Sequence, residues 1–228
     1  DMLFTLLQAD IAAEAVAQPE LNFSLIDMAM KGGWLMIPLV ILSIITIYLF
    51  GMKWWAIRKA TKVDPNFMKD IRDFIHEGKM KSAITLCQQT DTPVARLVEK
   101  GIERMGRPLQ DIQTAVENMG NVEVARLEKG LPMLATIAGG APMIGFLGTV
   151  TGMVQVFIDM SANQSGGIEL AQLSAGMYVA MVTTVGGLIV GIPAYFAHNY
   201  LVARVEKMVF RMEATTIAFM DILNQPVK

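Results

Sequence analysis

From Gly130 to Ala203 the chain has no lysine or arginine, and its only acidic residues there are Asp159 and Glu169. A helix in water needs a charged face, so this deficit excludes an ordinary soluble domain for that part. Cysteine is nearly absent as well, with Cys87 alone, which excludes an internal disulfide and leaves a small buried apolar residue as the expected role. The two histidines, His76 and His198, are far apart, and no CxxC or HxxxH spacing accompanies them, so no metal site or cofactor is expected. No glycine loop followed by lysine offers a phosphate cradle. Ser161, Ser165 and Ser174 lack a GxSxG elbow, and His198 belongs at the opposite membrane face, so a hydrolase has no basis and no enzyme is expected. A net charge of -2 without a basic face argues against nucleic acid.

What the sequence does have is apolar length. Over 228 residues, 53% are hydrophobic and the mean hydropathy is +0.44, as in integral membrane proteins. Three uncharged stretches stand out: Gly32 to Met52, Gly130 to Ile158 and Leu170 to Ala203. A bilayer core needs about 20 helical residues, so each can span it, and membrane lipids are the expected surroundings. The spacing predicts an all-α integral membrane protein with transmembrane helices over 32–52, 130–158 and 171–198, and a connecting loop over 159–170. Lys53, Arg58, Lys59 and Lys62 crowd the end of the first span, Arg126 and Lys129 precede the second, and Arg204, Lys207 and Arg211 follow the third. The positive-inside rule then puts the N-terminus outside and the C-terminus inside.

Residues 1–31 are acidic, lack the basic region of a signal peptide and carry an apolar stripe at Leu21, Leu25 and Met28. That predicts an outer segment with an interfacial helix. Residues 53–129 form a helical cytoplasmic domain, with breaks at "VDPNF", "HEGK", "TDTP" and "GRPL". Its last helix, from Pro108, meets no strong stop before the second span, so one long helix, kinked near Pro132, is expected. The third span should likewise run on into a cytoplasmic C-terminal helix over 199–228.

Within the spans, small residues and hydroxyls form patterns. Ala141, Gly145, Gly148 and Gly152 make one stripe in the second span, and Gly176, Ala180, Thr183, Gly187 and Gly191 make another in the third. Such stripes let membrane helices approach closely, within one protomer or between copies, and packing alone would account for the glycines. Thr149 and Thr151 lie at a depth similar to Thr183 and Thr184. A single threonine can satisfy itself on the carbonyl one turn back, but two antiparallel helices each supplying hydroxyls at mid-depth could line a polar seam. Proteins that move ions unaided usually carry an intramembrane acid or base, and none lies within these spans. A partner helix would have to bring it.

The segments "GGAPMIGFLGTVTGMV" (139–154) and "MVTTVGGLIVGIPAYFAHN" (181–199), in this span order around a large cytoplasmic insert, resemble the ExbB, TolQ and MotA proton-channel proteins, and ExbB most. The resemblance implies a homo-pentameric ring in the bacterial inner membrane, whose second and third helices line a central pore. The pore would hold an ExbD-like single-span partner bearing an intramembrane Asp. Thr149 and Thr184 match the polar residues beside that Asp, and a TonB-like protein would receive the work for outer-membrane uptake. Where enteric ExbB has a Glu five residues before the third-span threonine, this chain has Val179, so no role of that Glu carries over. Two alternatives stand beside this reading: a TolQ- or MotA-type stator for envelope maintenance or motility, and a non-conducting membrane scaffold.

Overall fold

The computed structural model describes residues 33–62, 64, 66–162 and 170–224. The stripe Leu21, Leu25 and Met28, the N-terminal interfacial helix and Glu169 lie outside the described residues. Seven helices are described: α1 (Met36–Ala60), α2 (Phe67–His76), α3 (Met80–Thr90), α4 (Pro93–Glu103), α5 (Leu109–Glu128), α6 (Leu131–Ala162) and α7 (Leu170–Asn224). Among the described residues three helical stretches are long and apolar enough to cross a membrane: Met36–Ala60, Leu109–Ser161 and Leu173–Asn224. Among the described residues the regular structure is all helical, and its three long apolar stretches are those of an integral membrane protein.

α1 continues past its apolar part, and Arg58 and Lys59 in its last turn complement the helix dipole. Within it, Thr46 donates to the Leu42 carbonyl at 2.8 Å, which keeps a hydroxyl satisfied among aliphatic neighbours. Between α2 and α3, Gly78 adopts a φ of 71°, and the Lys79 N–H returns to the Phe74 carbonyl at 2.9 Å, closing the end of α2. Thr92 caps α4 by accepting from the Ala95 N–H at 3.3 Å, with Pro93 at the first turn, as the "TDTP" break leads one to expect.

The expected single helix from Pro108 through the second span is interrupted, and not at Pro132. Lys129 leaves the helical region (φ -51°, ψ 120°) and Gly130 takes a φ of 91°, so the chain turns before α6 begins at Leu131. Glycine suits this place for two reasons. A side chain there would be strained, and a Cβ would touch Lys53 Cε at 3.4 Å and Leu49 Cδ2 at 4.0 Å. Lys53 reaches across the joint to the Arg126 carbonyl at 3.4 Å. Asp159 also differs from expectation, lying in the last turns of α6 beside Gln155 rather than in a loop.

Two apolar clusters organise the chain. The larger unites α2 to α5 with the far half of α7 through Phe67, Ile71, Cys87, Val98, Met208 and Phe219. Phe219, fully buried, lies over Gly101, where a Cβ would be 2.8 Å from Phe219 Cζ. The smaller cluster joins Met36 and Leu39 of α1 to Ile137 and Ala141 of α6 and Ala194 of α7. Outside these, α6 and α7 expose large apolar side chains such as Met143 (73%), Phe146 (66%) and Phe196 (67%), a surface suited to lipid or to other helices.

Candidate functional site

The two small-residue stripes face each other inside one protomer. A Cβ on Gly145 would fall 2.9 Å from the Thr183 carbonyl oxygen and 3.2 Å from Thr184 Cα; on Gly148, 2.6 Å from Thr183 Cβ; on Gly152, 2.8 Å from Ala180 Cβ. Lower down, Gly187 fits against the Ala141 carbonyl, and Gly191 against Pro142 and the Ala138 carbonyl, while Gly176 takes the Val156 side chain. Pro142 has no N–H to give Ala138, so Gly191 sits where the helix backbone is opened. Of the two packing options the sequence left open, these contacts belong to the one within a protomer.

This closeness brings three hydroxyls together. Thr149 and Thr184 hydrogen-bond hydroxyl to hydroxyl across the seam. The Gly145 carbonyl is approached by Thr184 at 3.2 Å and by Thr149 and Thr183 at 3.4 Å. The Ala180 carbonyl accepts from Thr149 at 3.1 Å and from Thr183 at 2.7 Å. Thr183 is buried, whereas Thr149 and Thr184 are half-buried. Thr151 lies apart: its side chain is exposed, and its hydroxyl donates to the Leu147 and Gly148 carbonyls of its own helix at 2.9 and 3.2 Å.

Sequence reasoning placed four threonines at one depth but missed the two carbonyls that gather three of them. A hydroxyl donates one proton and accepts through its lone pairs, so Thr184, Thr149 and the Ala180 carbonyl form a continuous hydrogen-bonded run. Such a run can solvate a cation or pass a proton. It cannot store charge, because no Asp, Glu, Lys or Arg lies between Gly130 and Ile158 or between Leu170 and Ala203. His198, at the end of the third apolar stretch, turns Nδ1 to the Leu131 carbonyl at 3.2 Å, away from this depth.

A second polar centre, among the short helices between the first and second apolar stretches, was not foreseen. Glu123 on α5 is buried, and its carboxylate accepts from Arg96 of α4 and from Arg126, both at 2.7 Å. Arg96 also reaches Asp91 at 2.6 Å. Hydrogen bonding to Glu123 pushes the guanidinium above its usual range, burial opposes this, and the charges of Glu123 and Asp91 add to the rise. The signal that could have found it is one acid flanked at helical spacing by apolar Ile112, Val116 and Leu127.

Comparison with known proteins agrees with this architecture. The model of the MotA/TolQ/ExbB proton channel family matches residues 89–214, more than half of the chain and both helices of the seam. A putative biopolymer transport protein ExbB homolog of Methanothermobacter thermautotrophicus is 26% identical over 198 residues, covering 86% of this chain and 70% of its own. The biopolymer transport protein ExbB of Neisseria meningitidis is 25% identical over 72% of this chain and 78% of its own, and the Tol-Pal system protein TolQ of Pseudomonas aeruginosa 27% over 84% and 87%. With three apolar helices, paired small-residue stripes and a match across most of its length, the chain belongs to the MotA/TolQ/ExbB proton channel family and is most like ExbB.

Proposed function

We propose that this chain is the proton-channel subunit of an inner-membrane motor, with its N-terminus periplasmic and its C-terminus cytoplasmic. Five copies form a ring around an ExbD-like single-span partner, whose Asp carries the proton past the wall made by α6 and α7. The work passes to a TonB-like protein for outer-membrane uptake. The observation that carries this reading is the meeting of the Thr149 and Thr184 hydroxyls in a seam with no ionisable side chain of its own. One charge moving through 100 mV yields about 2.3 kcal/mol, and a bare carboxylate in hydrocarbon costs several, so the Asp crosses neutral and exchanges its proton where hydroxyls can receive it. Of the four threonines expected along the ion path, Thr149 and Thr184 form its polar wall, Thr183 supports them from the buried side of the seam, and Thr151 faces away from it. Ala141, Gly145, Gly148, Gly152, Gly176, Ala180, Gly187 and Gly191 hold its two helices at the spacing that the hydroxyls need.

The test is acid-driven proton uptake into liposomes holding this protein with and without its single-span partner. Flux should require the partner and should fall to the level of empty liposomes in the Thr149→Ala, Thr184→Val variant, with complex assembly unchanged. Energised uptake at the wild-type level in that variant would instead favour the non-conducting scaffold, and wild-type flux in it would remove Thr149 and Thr184 from the ion path. A TolQ-type stator is the second reading, because the Pseudomonas TolQ covers more of this chain than the Neisseria ExbB at similar identity. A Tol gene set rather than a TonB-like gene beside the gene for this chain would decide for it.

A further inference from the structure

Where the first span meets its basic flank, α1 and α7 enclose a cleft of about 460 Å³, within the range of small-molecule sites, roughly 300 to 1,000 Å³. Arg58 and Lys62 line it from the α1 side and Arg204 from α7, and no acidic residue lines it. The acids nearest in sequence, Asp64 and Glu206, are absent from its wall, and Lys59 turns away to Asp91 at 4.0 Å. None of the three cations is ion-paired to another described residue.

The remaining wall is aromatic and apolar. Arg58 lies over the Trp54 ring at 5.2 Å and Arg204 over Tyr200 at 5.2 Å, and Arg204 also donates to the Tyr200 hydroxyl at 2.8 Å. These contacts hold both guanidinium groups at the cleft. Tyr200 packs tilted on Phe50, 6.4 Å between ring centres, which extends the aromatic wall into the uncharged part of α1. The cleft therefore joins a cationic mouth to an apolar track. A free phosphate would use only the first; a lipid would use both.

We propose that this cleft binds the phosphodiester headgroup of an anionic phospholipid, with the acyl chains running along Phe50 and the outer face of α1. The position suits that ligand: Trp and Tyr sit at headgroup level, and basic residues at the end of a span meet the anionic leaflet. The site is independent of the ion path and requires only that the three apolar helices span a bilayer.

The experiment is native mass spectrometry of the purified, delipidated complex mixed with phosphatidylglycerol or phosphatidylcholine of matched chains. The wild type should retain the anionic lipid preferentially, and Arg58→Gln, Lys62→Gln, Arg204→Gln together should reduce that preference by on the order of tenfold or more. The control is Lys69→Gln, Lys81→Gln, Arg107→Gln, an equal charge change at exposed residues elsewhere, which should leave retention as in the wild type. Equal retention by the first variant, equal loss in the control, or displacement by millimolar inorganic phosphate would each overturn the proposal. Arg58→Gln alone, at an exposed position, supplies the same readout should the triple variant fail to assemble.

Discussion

Gly187 and Ala141 meet backbone to backbone: a methyl on Gly187 would lie 2.6 Å from the Ala141 carbonyl oxygen and 2.9 Å from Gly145 Cα. Neither neighbour is a flexible side-chain end, so the two helices would have to part. Gly187→Ala should therefore cost about 1–3 kcal/mol and lower the melting temperature of the purified complex. Gly51→Ala is the contrast, since nothing lies within 4 Å of its added carbon, and it should be neutral or slightly stabilising. Equal melting temperatures for the two variants would sink the close-packing account.

Thr183 and Thr184 are neighbours with different expected phenotypes. Thr183 is buried and donates to Ala180 at 2.7 Å, so Thr183→Val removes one hydrogen bond at constant shape, a loss of about 0.5–1.5 kcal/mol. Proton flux per assembled complex should survive that change. Flux abolished with assembly and melting temperature intact would place Thr183 in the path beside Thr149 and Thr184.

Arg96→Met leaves the buried Glu123 carboxylate with Arg126 as its remaining partner, and Arg126 is 62% exposed. Breaking a buried pair typically costs 3–5 kcal/mol, and the surviving bond together with Arg96's partial exposure puts this case near about 3. Removing both members, Arg96→Met with Glu123→Met, should cost less than Arg96→Met alone. Chemical denaturation of the complex reads the cycle, and a double variant less stable than the single would refute the desolvation argument.

Cys87, fully buried, has its thiol pushed up from 9.0 to about 12, mainly by burial and secondarily by Glu99. The native protein should resist iodoacetamide at pH 8 and react fully once denatured. The linkage has a definite sign. The unfolded thiol ionises near its ordinary value while the folded one stays neutral, so this contribution to stability is whole below about pH 9 and is lost as pH rises towards 12. Titration of the melting temperature from pH 8 to 10 should fall more steeply for the wild type than for Cys87→Ala.

The helices were legible because charge is absent over bilayer-length runs, a property of composition that needs no partner. Burial of Cys87 and the cap at Thr92 were legible too, being local or compositional. The break at Gly130 was not, because a lone glycine beside Lys129 looks the same within a helix as after one; what fixes it is Lys53 and Leu49 arriving from α1. Thr151 was grouped with Thr149 on depth alone, yet two positions along a helix rotate a side chain by about 200°, so depth cannot say which way it faces. Glu123 escaped notice because its burial depends on Arg96 coming from another helix.

α7 runs for 55 residues, about 80 Å at helical rise, and carries both the hydroxyl cluster and the Phe219 anchor over Gly101. Its neighbour is divided at Gly130. The subunit thus pairs a mast with a jointed arm. One helix ties the hydroxyl cluster at Thr184 to the short helices packed around Phe219, with Pro193, which gives no N–H to its own helix, between the two, whereas its neighbour changes direction at Gly130.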